Sequence, residues 1–126
     1  MTVKIYIRAI IKGGKNSLAL FDSKRGGDIN DLITDAQAGD TVIWKSDCCS
    51  GIKSLTRIYS KEEKHIVFIS QPRKRLLCKG FMLRLDIPEA KVVREEKYTI
   101  ECILCDDTTL IVDPYIRVPP PPPVKT

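Results

Sequence analysis

Five cysteines and one histidine are the residues of this 126-residue chain whose types most readily carry chemistry. Cys102 and Cys105 have the C-x-x-C spacing of redox pairs. Such a pair works at a helix N-terminus, where the thiol pKa falls. Here it lies in or at the end of an alternating strand pattern, and positions three apart on a strand point to opposite faces. The spacing therefore predicts thiols that diverge, unless a bulge intervenes or Cys105 already belongs to the turn. Cys48 and Cys49 with Cys102 and Cys105 could offer four thiolates to zinc. A strong zinc signature pairs two C-x-x-C units, whereas adjacent cysteines diverge in extended backbone.

His65 follows the charged turn 61–64, and nothing in the spacing joins it to Cys78 or to a serine as a nucleophile and base. Gly13-Gly14-Lys15-Asn16-Ser17 lacks the G-x-x-x-x-G-K-[ST] spacing of a phosphate loop and reads as a hairpin turn. These residues predict a protein that is not an enzyme and holds no cofactor.

Charge offers a different chemistry. Gln71-Pro72-Arg73-Lys74-Arg75, with Lys79 beyond it, is the densest basic run. It suits phosphate and equally a solvated loop. Aromatic residues, needed for base stacking, make up only 6% of the chain, which favours protein partners over nucleic acid. Pro119 to Pro123 predict a polyproline II tail, which serves either as a stiff spacer or as a segment for an aromatic groove.

The chain that must position these groups has a net charge of +5, with 43% hydrophobic and 29% charged residues. That balance fits one folded domain and excludes a disordered chain. No apolar run is long enough to span a membrane. The first residues alternate rather than forming a secretory apolar stretch. With an odd cysteine count, they lead us to expect reduced thiols and a cytoplasmic protein.

Periodicity places the elements. Residues 3–11 alternate, with Val3, Ile5, Ile7 and Ala9 on one face, and pair across the glycine turn with 17–21. Further strands are expected at 32–36, 41–45, 52–59, 65–69, 80–87, 97–105 and 109–118, with one helical turn around 28–32. Gly39-Asp40 forms a tight turn, and Trp44, the only tryptophan, is expected at the centre of the core. Asp113-Pro114 should break the last strand. Eight or nine short strands predict an all-β Greek-key sandwich over residues 1–118, followed by the tail at 119–126.

Three stretches carry a resemblance. Ala38-Gly39-Asp40-Thr41-Val42-Ile43-Trp44-Lys45 resembles the G-D-x-V-x-W entry of cupredoxins, and Tyr98-Thr99-Ile100-Glu101-Cys102 resembles their Y-x-x-x-C strand. Asp113-Pro114-Tyr115-Ile116-Arg117-Val118 is similar to the closing strand of immunoglobulin-like sandwiches, and some bacterial inclusion-body proteins without metals are also similar. The resemblance covers about a third of the chain and implies a cupredoxin-like or immunoglobulin-like fold. A blue-copper site needs two His, one Cys and an axial ligand, and this chain has one His. The ligand count excludes that copper site.

The expectation is therefore a non-enzymatic binding or assembly module with a protein partner or self-association. Its binding loops are expected at 47–51 and 73–79, with Arg73, Lys74, Arg75 and Lys79 as partner-binding residues. The alternatives are zinc through the four cysteines, or nucleic acid through the basic loop.

Overall fold

The computed structural model describes residues 2–22, 27–28, 33–46, 51–61, 67–68, 70–74 and 80–120. Among them the fold is all-β. β1 (Thr2–Lys12) turns at Gly13-Gly14 into β2 (Lys15–Asp22), and β3 (Gly27–Asp28) and β4 (Ile33–Asp35) follow. Next come β5 (Thr41–Ser46), β6 (Ile52–Tyr59), β7 (Arg73–Lys74) and β8 (Phe81–Arg84). β9 (Arg94–Lys97), β10 (Thr99–Leu104), β11 (Thr109–Val112) and β12 (Tyr115–Val118) complete the order. No helix among the described residues is long and apolar enough to cross a membrane.

One sheet has six strands in the order β3-β2-β1-β5-β8-β7, with β1 antiparallel to β2 and parallel to β5. Two three-stranded sheets have the orders β11-β10-β6 and β4-β12-β9. The smaller sheets are built on consecutive parts of one long hairpin, to which β6 adds beside β10 and β4 beside β12. β9 and β10 are separated only by Tyr98, β11 and β12 only by Asp113-Pro114, and the Tyr98 amide donates to the Pro114 carbonyl across the break at 2.9 Å. Pro114 has no N–H to give the ladder, so the pairing stops there on both strands. The expected single strand 97–105 is thus two segments, with the first beginning at Arg94.

Alternation builds the core. Val3, Ile5 and Ile7 of β1 and Val42 and Trp44 of β5 meet Tyr98, Ile100, Cys102 and Ile116 of the long hairpin in one buried cluster. Trp44 is fully buried, as its place in the pattern predicts. Its indole N–H donates to the Tyr98 hydroxyl at 3.0 Å. Phe68 lies 6.0 Å from the Trp44 ring and 5.2 Å from that of Tyr98. Offset and edge-on pairs at these separations each add about 0.5–1.5 kcal/mol beyond area burial.

Turns follow their residue chemistry. Gly13 and Gly14 both have positive φ, the requirement of a two-residue hairpin turn. At the Gly39 turn the Asp40 carboxylate accepts from the Gln37 amide at 2.9 Å. Two strand expectations are corrected. The strand expected over 80–87 ends at Arg84: Leu85 and Ile87 stay buried, but the Ile87 amide turns back to the Leu85 carbonyl. Val67 and Phe68, expected in a strand, instead donate their amides to the Glu96 carboxylate at 2.9 and 3.1 Å. The helical turn expected around 28–32 and His65 fall outside the described residues, apart from Asp28 in β3.

Candidate functional site

On the long hairpin, Glu96, Tyr98, Ile100, Cys102 and Leu104 are buried on the inward face; Lys97, Glu101 and Ile103 take the outward positions, and Thr99 shares their parity but is buried at the floor of that face. Register brings Tyr59 opposite Thr99, Arg57 opposite Glu101, Ile111 opposite Glu101 from the other side, and Tyr115 opposite Lys97. These residues form the outward face of the smaller sheets.

The Arg57 guanidinium sits 3.8 Å from the centre of the Tyr59 ring, and the Lys61 ammonium lies 5.5 Å from it. Cations over aromatic faces are held by the ring quadrupole, at about 0.5–1 kcal/mol when exposed. Ile111 is 54% exposed on this face. Beside it is a cleft of about 230 Å³ lined by Lys61, Lys97, Thr99 and Asp113. The Thr99 hydroxyl donates to the Asp113 carboxylate at 2.7 Å, fixing the cleft floor where the hairpin breaks. Two lysines and one aspartate line the cleft, so its formal charge is positive. Its volume lies below the roughly 300–1,000 Å³ usual for small-molecule sites. It suits a single side chain presented by a larger partner.

The cysteines are placed apart. Cys102 is buried in the core, where burial pushes its thiol pKa up, while Cys105 is exposed in the turn after β10. Burial and a raised pKa make Cys102 a poor nucleophile. Cys48 and Cys49 lie outside the described residues, and among the described residues no three His, Cys, Asp or Glu side chains are grouped to hold a metal. In the same turn as Cys105, hydrogen bonds from Thr108, through its hydroxyl and its amide, hold the Asp106 carboxyl below its usual range.

Of the expected partner-binding residues, Arg73 and Lys74 form the short edge strand β7 and are exposed. Arg75, Lys79 and the 47–50 part of the other expected loop fall outside the described residues. The basic loop and the cleft are thus on different sheets: β7 ends the six-stranded sheet, and the cleft sits on the long hairpin.

Two features were missed from sequence. Arg94-Glu95-Glu96-Lys97 has the composition of a solvated turn, yet Glu96 is buried on the inward face and takes the two amides of Val67 and Phe68. Parity counted back from Tyr98 would have placed it there. The outward face was missed because its members come from four separated segments, which only the register assembles. Neither a family model nor a curated protein matches this chain.

Proposed function

We propose that the chain is a non-enzymatic binding or assembly module that engages protein, either a partner or a second copy, through the outward face of the smaller sheets. On this reading the fold is a Greek-key sandwich of the cupredoxin or immunoglobulin type, without copper ligands, working in the cytoplasm. The observation that carries the functional reading is the make-up of that face: Tyr59 under Arg57, with Tyr115 and the exposed Ile111 in register around it. Tyrosine and arginine are the residue types enriched at the energetic centres of protein interfaces. The lysine-lined cleft beside them supplies charge selectivity, because it favours an acidic side chain of the partner.

Light scattering coupled to size exclusion tests the assembly form. Self-association predicts a mass that rises above 14.2 kDa with concentration and returns to it in Ile111→Asp. A mass fixed at the monomer value at every concentration would remove self-association. An arginine-to-glutamate change at Arg57 that leaves partner binding intact would remove this face as the contact.

A further inference from the structure

The opposite surface, the outward face of the six-stranded sheet, has a different character. Val3, Ile5 and Ile7 are buried, so β1 turns Lys4, Tyr6, Arg8 and Lys12 outward. Register extends the face: Phe21 stands opposite Tyr6, Lys15 opposite Lys12, Lys45 beside Tyr6, and Arg73 opposite the outward Met82. Six cations (Lys4, Arg8, Lys12, Lys15, Lys45 and Arg73) therefore share one face, while the net charge of the whole chain is +5. Among the residues of β1, β2, β5, β7 and β8 whose side chains are described, no outward-facing position is an Asp or Glu. The acidic position in register with the face is Asp28, opposite Phe21 in the edge strand β3, and Asp86 beyond β8 pairs with Arg84 at 3.0 Å.

The two rings at the middle of this face are each approached by a cation. Lys45 Nζ is 5.5 Å from the centre of the Tyr6 ring, and the Arg8 guanidinium is 5.4 Å from that of Phe21. Each cation thus lies over a ring carried by a directly paired strand.

We infer that this face binds single-stranded nucleic acid. A six-stranded sheet is too broad to enter either groove of a duplex, whereas a single strand can lay its bases against the half-buried rings and the cations over them, and its phosphates on the surrounding cations. One nucleotide needs that juxtaposition of a π-face and a cation, and the Tyr6–Lys45 and Phe21–Arg8 pairs supply it. The site is distinct from the basic loop that composition singles out and shares only Arg73 with it. Because it uses neither the cleft nor the Tyr59 face, it stands independently of the proposed protein contact.

The test is fluorescence anisotropy of a labelled oligothymidylate about twenty nucleotides long, long enough to cover a stacking face. If about four cations meet phosphate, log Kobs falls with log salt at a slope of about −3. Arg8→Glu with Lys45→Glu should weaken binding at least tenfold and flatten the slope. Tyr6→Ala should weaken it about fivefold or more. Lys61→Glu with Lys97→Glu, on the other face, should leave it unchanged. Trp44 fluorescence confirms that each variant is folded. The inference is overturned if the Lys61 and Lys97 reversals weaken binding as much, if a duplex of equal length or a polyglutamate peptide binds as tightly, or if the oligonucleotide does not bind at 50 mM salt.

Discussion

Replacing Tyr98 by Phe removes one oxygen from the centre of the core and tests the bond between β5 and the long hairpin. Tyr98 is fully buried, and its hydroxyl accepts the Trp44 indole N–H at 3.0 Å. Phenylalanine keeps the ring and its contact with Phe68 but leaves that N–H without its acceptor. An unsatisfied buried donor costs about 1–3 kcal/mol, against a net gain near 1 kcal/mol for an ordinary hydrogen bond. The larger range applies because Trp44 is itself at zero exposure and has no route to water. Urea unfolding followed by the fluorescence of Trp44, the sole tryptophan, reads the change without a label. With a slope of about 1.5 kcal/mol per molar, a loss of about 2 kcal/mol lowers the midpoint by roughly 1.3 M at constant slope. A midpoint within about 0.2 M of the wild type, with the same slope, would refute the claim that this hydrogen bond is buried and unreplaced.

Other outcomes follow from the same geometry. Gly80→Ala should destabilise the fold severely, because an added Cβ would lie 2.2 Å from the Trp44 carbonyl oxygen at a φ of +130°; thermal unfolding measures it, and a wild-type midpoint would contradict it. Burial raises the Tyr98 phenol far above its ordinary pKa of 10.0, so the unfolded chain releases that proton first. Stability should therefore fall as pH climbs above about 10, by about 1.4 kcal/mol per pH unit at most, and Tyr98→Phe should remove that component. Mass-spectrometric mapping of iodoacetamide labelling should find Cys105 modified in the native state and Cys102 only after unfolding. Asp35→Asn should cost less than about 1 kcal/mol, since the paired Arg117 Nε and Asp35 carboxylate, 2.7 Å apart, remain partly exposed to screening water.

Some of this structure was legible in the sequence because one physical signal sufficed. Gly39 and Asp40 announce their turn through φ and a short side chain, and the alternation of β1 and β5 puts Ile5 and Trp44 inside. Alternation overreached beyond Leu85: burial continues with a period of two to Ile87, but after the Leu85 amide bonds to the Asp40 carbonyl the Asp86 and Ile87 amides turn back on Arg84 and Leu85, and side-chain pattern carries no information about where amides go. The break at Tyr98 had its cause in view at Asp113-Pro114, yet that proline sits on the partner strand, and only the pairing transmits the break. The same holds for both candidate surfaces. Tyr59, Thr99 and Asp113, or Tyr6, Phe21 and Lys45, are far apart or unremarkable along the chain, and register gathers them.

The two outward faces differ in their surface chemistry. The six-stranded sheet presents cations around Tyr6 and Phe21, while the smaller sheets present Tyr59 and Arg57 of β6, Ile111 of β11 and a lysine-lined cleft. On the proposed function, the second of these is the protein-binding surface. Hydrogen exchange, measured on dilute and concentrated protein and on protein with a bound partner, tests it most directly. The account predicts that association slows exchange in residues 52–59 and 109–112 and leaves residues 81–84 unchanged. Protection confined to residues 81–84, or no change on association in 52–59 and 109–112, would contradict it.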